Sequence, residues 1–198
     1  MKHLKKIFLL ILLTPIFLQL IGQEEASSCK MINAKFYGFF EETGIPLYEV
    51  REGVTYLPQI IGLTFSFPLY QAKNKFNISM ELKPQFAYIL STMENYEFGL
   101  NVMFNFNYLL GEKSYLTFKI SSGPHYINME NRRQATGFIF SDNFILGYYR
   151  KLNISEKEFS LGLVSGIRHI SNASIKRPNG GINNVIVGLS FTRLLYNP

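Results

Sequence analysis

The residues best equipped for chemistry lie in one stretch, R-H-I-S-N-A-S-I-K-R-P-N-G-G-I-N, residues 168–183. His169 and Ser171 are two positions apart. On a strand such residues point to the same face, about 6.6 Å apart along the chain. A histidine beside a serine is the minimum set for activating a hydroxyl nucleophile, because the ring takes the proton as the oxygen attacks. Phe159, Leu161, Leu163 and Ile167 share the parity of His169 and Ser171. Val185, Val187, Leu189 and Phe191 share that of Asn183. Two alternating strands therefore bracket a polar loop, and His169, Ser171 and Asn183 lie on the apolar-bearing face. What that face meets decides what the pair can reach.

The elements that must position these residues follow one pattern. Residues 32–41 read as a first strand, and 41–53, with Gly44, Pro46 and four glutamates, mostly as loop. Residues 56–69 and 76–88 alternate. The clearest segment has Tyr96, Phe98, Leu100, Val102, Phe104, Phe106 and Tyr108 against Glu97, Gly99, Asn101, Met103, Asn105 and Asn107. A strand through Leu116, Phe118 and Ile120 follows, then a polar loop at 128–136. Residues 138–149 form another strand, with Asp142 on its apolar parity, and 152–157 a turn. About eight strands of roughly 10–14 residues result, longer than the roughly 5–6 usual in soluble sheets.

The first residues differ. Met1 to Lys6 is basic and Ile7 to Ile21 almost wholly apolar, interrupted by Pro15. That is shorter than the ~20 residues of a spanning helix and reads as a secretory signal peptide over 1–23, leaving one domain at 24–198. The formal charge is +6. Lys2, Lys5 and Lys6 supply three of those charges, so the mature chain carries +3. That is too mild for a nucleic-acid partner. Zinc spacings, a Walker loop and a dinucleotide fingerprint are missing, so neither metal nor cofactor is expected. The one cysteine, Cys29, has no internal disulfide partner.

No amphipathic helix covers the apolar faces. A soluble barrel or sandwich would turn them inward, and an outer-membrane barrel would turn them to lipid. Three features favour an all-β, eight-stranded antiparallel transmembrane barrel of the bacterial outer membrane. Glu81, Lys83, Asn101, Asn105 and Asn107 suit a narrow lumen. Tyr56, Tyr88, Tyr96, Tyr108, Tyr126 and Tyr196 sit at strand ends, where interfacial girdles belong. Connections alternate between short (71–75, 111–114, 152–157) and generally longer (41–53, 128–136, 172–182), with 90–95 a short exception. With both chain ends periplasmic, His169 and Ser171 lie at the outer rim, facing lipid, where a lipid ester can approach laterally.

The run H-I-S-N-A-S-I-K-R-P-N-G-G-I-N resembles the signature of the PagL-type lipid A 3-O-deacylases, eight-stranded outer-membrane barrels that hydrolyse an acyl ester of lipid A. The resemblance implies Ser171 as nucleophile, His169 as general base, and support from Asn172 and Asn179. An acidic residue normally stands where this chain has Asn183. Asn183 can fix the ring tautomer but adds no charge; Glu130, or one of Glu41, Glu42, Glu49 and Glu52, is an alternative third member. Asp142 is either a lone interfacial residue or a helper. Backbone N–H groups at Asn172 and Ala173, or the Asn172 side chain, are expected to hold the oxyanion. Arg132, Arg133, Arg168, Lys176 and Arg177 are either a solvated rim or contacts to lipid A phosphates. Expected partners are lipopolysaccharide, the surrounding membrane lipids and, as an option, a second copy of the chain. The rival reading is a non-catalytic structural or surface-interaction barrel with a degenerate site.

Overall fold

The computed structural model describes residues 34–48, 56–71, 75–90 and 94–196. The signal segment, Cys29, Glu49 and Glu52 lie outside them.

Nine strands follow in order: β1 (Ala34–Pro46), β2 (Leu57–Gln71), β3 (Phe76–Leu90), β4 (Asn95–Leu109), β5 (Ser114–Ser122), β6 (Pro124–Ile127), β7 (Gly137–Ile154), β8 (Lys157–Ser171) and β9 (Ile182–Tyr196). Apart from β5 and β6, which do not pair with each other, each pairs antiparallel with its chain neighbours, and β1 pairs β9 to close the ring. β5 and β6 together act as one barrel strand, since both pair β4 on one side and β7 on the other. The result is an eight-stranded closed barrel. Gly123 divides β5 from β6. Here β4 comes so close that a Cβ on Gly123 would lie 2.8 Å from Asn101 Cα.

The period-two pattern sorts side chains by solvent. Ile61, Leu63, Phe98, Phe104, Phe144 and Leu146 stand exposed on the outer wall. An apolar belt around a whole barrel far exceeds the few hundred Å² that soluble monomers expose. Its solvent is lipid, so the strands span a membrane. Met103 turns inward among polar neighbours and packs with Tyr115, Tyr149 and Ile186.

The lumen is filled. Lys83 Nζ lies 2.5 Å from Glu42 and 3.9 Å above the Phe40 ring. Lys119 Nζ lies 2.9 Å from Glu81, which also accepts from Thr64 and Asn105. Higher up, Arg168 pairs with Glu97, and Glu97 also binds Tyr56 Oη and His125 Nδ1, each at 2.5 Å. Above this network Ile89, Ile127, Ile139, Ile170 and Ile182 plug the mouth that carries the longer loops. Fully burying an isoleucine stabilises by about 1.5–3 kcal/mol.

Three expectations change. Residues 41–46 are strand, not loop. Glu42 is luminal, and its charge is matched by Lys83 from β3, so an acidic stretch that looked like loop is wall. Tyr56 is no girdle residue: it points inward, fully buried, and its hydroxyl bridges Arg168 and Glu97. Tyr88, Tyr96, Tyr108 and Tyr126 do stand outward. The 152–157 turn shrinks to Ser155 and Glu156, with φ of 48° and 63°. Two consecutive left-handed residues match the right-handed twist of a two-residue hairpin.

Candidate active site

The site is built on β7, β8 and β9 at the loop-bearing mouth. Inward residues fix the wall: Arg168 to Glu97, Tyr56 and Ser141, Ile170 opposite Ile182 in the apolar plug, and Asn184 to the Tyr56 carbonyl. Alternation then forces His169, Ser171 and Asn183 outward together, all partly exposed.

His169 and Asn183 are register partners, and His169 Nδ1 lies 2.6 Å from Asn183 Oδ1. An amide oxygen only accepts, so Nδ1 carries the proton and Nε2 is the free base. The ring rests on Gly181. A Cβ there would come within 2.5 Å of His169 Cε1 and 3.1 Å of Nε2, and Gly181 has φ 64°. On the other side of His169, Asp142 of β7 is its register partner, and Phe140 is that of Ser171. No hydrogen bond joins Ser171 Oγ to the ring among the described residues; such contacts often tighten only when substrate binds.

Two loops clamp this hairpin. Arg133 Nε donates to Gly181 O and Arg133 Nη2 to Gly180 O, each at 3.0 Å, while its guanidinium lies 4.2 Å above the Tyr48 ring. Tyr48 Oη accepts from Asn183 N at 3.0 Å and donates to Gly181 O at 3.2 Å. Ala135 N to Pro178 O and Gly180 N to Arg133 O zip the 131–136 loop to the 178–180 segment. Neither Tyr48 nor this zipper was legible in the sequence, where no local pattern links residues so far apart.

Several expected roles do not fit. Arg168 is buried in the lumen, because its even parity opposes that of His169, so it is removed from the rim cations. Arg133 spends Nε and one terminal nitrogen on backbone carbonyls. Arg132, Lys176 and Arg177 remain exposed on the loops. The Asn172 N–H is taken by Asn179 Oδ1 at 2.9 Å, and its amide NH2 by Lys176 O at 2.7 Å, so Asn172 shapes the turn rather than offering donors. Asn179 Nδ2 reaches only Ser174 Oγ, at 3.2 Å. Glu42 is luminal. Glu41 pairs Leu189, six residues or roughly 20 Å down β9 from Asn183. Glu130 is exposed and makes no bond to His169 among the described residues.

Comparison with known proteins agrees with this picture. No curated protein sequence matches the chain. The crystal structure of the outer membrane enzyme PagL superposes with a TM-score of 0.60 at 14% identity, covering 78% of this chain and 97% of that one. The outer membrane protein OprG from Pseudomonas aeruginosa matches at a TM-score of 0.45 and 11% identity, over 87% of this chain and all of that one. The family described as lipid A 3-O-deacylase (PagL) matches residues 59–192, which span β2 through most of β9 and include every residue from His169 to Asn183. The barrel is thus an outer-membrane protein, and the chain belongs to the lipid A 3-O-deacylase (PagL) family.

Proposed function

We propose that this barrel is a lipid A deacylase that removes an ester-linked acyl chain, at the 3-O position named for its family, by a serine-histidine mechanism. The observation that carries this reading is the outward row of His169, Ser171 and Asn183 at the loop-bearing mouth, with the ring held in one tautomer. A site on the lipid-facing wall meets its substrate sideways, from the outer leaflet.

The outward pair supports an acyl-enzyme route. Ser171 Oγ attacks the ester carbonyl carbon and its proton passes to His169 Nε2. The carbonyl becomes a tetrahedral oxyanion. As it collapses, the bond to the sugar oxygen breaks and that oxygen takes the proton back from Nε2. Water then attacks the acyl-serine, again giving its proton to Nε2. The fatty acid departs and Ser171 is regenerated. With the Asn172 donors engaged, the Ala173 N–H and Asn179 Nδ2 are the remaining expected donors to hold the oxyanion. Preorganised donors of this kind contribute about 2.7–4 kcal/mol each. Arg132, Lys176 and Arg177 offer the exposed loops' positive charge to the lipid A phosphates.

Mass spectrometry of lipid A from cells with and without the chain tests the reading. Expression should remove one ester-linked acyl chain, and His169→Ala should abolish the loss while the barrel stays folded. Unchanged lipid A would favour the non-catalytic barrel.

A further inference from the structure

An acidic partner beside a catalytic histidine does two things: it orients the ring and stabilises its charged form. Asn183 does only the first. The strand register shows where the second can come from. Asp142 lies directly opposite His169 on β7, as Asn183 does on β9, so the three form one outward row across three strands. Cβ atoms of directly opposed residues are ~5 Å apart.

Asp142 is otherwise hard to account for. Its outward neighbours on β7 are Phe140 and Phe144, on a wall facing lipid. A carboxylate on this face costs free energy that grows with depth from the rim, and a nearby cation offsets it. Among the described residues it makes no ion pair or hydrogen bond, to His169 or to any other group, so its link to the ring is the register alone and no other partner claims it. The charged and titratable groups packed around the ring are few. Arg133 and Tyr48 lie on the Gly181 side. Arg168 is on the opposite face of β8, neutralised by Glu97.

We propose that Asp142 is the charge partner of His169, dividing the third catalytic role with Asn183: the amide sets the tautomer and the carboxylate supplies the charge. This rests on the serine-histidine reading above. Asp142 takes no proton from the ring in any step. It acts across the strand pair as a positioning and electrostatic residue, favouring the imidazolium that forms as Ser171 attacks.

The test compares purified wild type with Asp142→Asn, Asp142→Glu and the double variant Asp142→Asn/Asn183→Asp, on lipid A across pH. Folding of each is verified by its heat-dependent gel shift. Asp142→Asn should lower kcat about 10–100-fold with KM little changed, since the imidazolium formed as Ser171 attacks would lose its nearby anion. The acid limb of its pH–rate profile should move to lower pH. Asp142→Glu should keep most activity. The double variant should recover most of the rate and return the limb, because charge is restored from the other side of the ring. A wild-type rate and profile for Asp142→Asn would overturn the proposal. So would a loss with an unmoved profile that Asn183→Asp leaves unrepaired. Ser171→Ala run alongside separates the two levels: if it stays active, the serine mechanism falls and Asp142 with it; if it is dead while Asp142→Asn is normal, Asp142 alone falls.

Discussion

His169 Nδ1 and Asn183 Oδ1 lie 2.6 Å apart across the β8–β9 pair, so a neutral amide stands where the serine-histidine-aspartate template has a carboxylate. The contact places the ring proton on Nδ1 and leaves Nε2 free of it. In the serine-histidine-aspartate template, replacing the acid by an amide costs about 10⁴, largely through the wrong tautomer. Here the tautomer is right.

Asn183→Ala removes that lock and should lower turnover about 10–100-fold. Asn183→Asp should raise it, and a second anion beside the ring should move the acid limb of the rate profile to higher pH, because it favours the charged ring. Initial rates of lipid A deacylation across pH check both directions.

Gly181 tests how closely the ring must be held. Alanine there strains a left-handed backbone by about 1–2 kcal/mol. Its methyl would also press on His169 Cε1, 2.5 Å away. The imidazole can swing outward, so the barrel should fold while kcat falls steeply. Arg133→Ala, which frees the carbonyls of Gly180 and Gly181, should give a milder loss of the same kind. Parallel measurement of gel shift and kcat separates folding from positioning.

Arg168 makes the opposite prediction. It is sequestered in the lumen with Glu97, and truncating one member of a buried pair typically costs about 3–5 kcal/mol. Arg168→Ala should therefore lower resistance to urea or heat. Fatty-acid release per folded molecule should fall far less than in His169→Ala. A large activity loss without destabilisation would return Arg168 to the substrate site.

Orientation is tested on intact cells in a Cys29→Ser background. A cysteine at Arg132 or Lys176 should react with a membrane-impermeant maleimide, and one at Glu156 should not. Labelling at Glu156 alone would turn the site toward the periplasm and away from the outer leaflet.

The wall was legible because lipid-out, polar-in packing is a property of period two, and 95–109 displays it almost without fault. What escaped depends on partners distant in the chain. Glu42 reads as loop until Lys83 is placed beside it. Tyr56 resembles the girdle tyrosines, yet it is luminal because Arg168 and Glu97 await its hydroxyl. Asp142 had no assigned purpose because register across β7 and β8 is set by the turn between them. A turn read as six residues leaves that register open, whereas Ser155–Glu156 places Asp142 opposite His169. The loop donors failed for a similar reason: the Asn172 N–H looks free until Asn179 folds back onto it.

The most direct test of the central claim uses the purified barrel in detergent with purified lipid A, fatty-acid release being followed by mass spectrometry. Wild type should release one ester-linked acyl chain, and Ser171→Ala, folded by gel shift, should release none. Full release by Ser171→Ala would contradict the account, which gives the nucleophile's role to Ser171 alone.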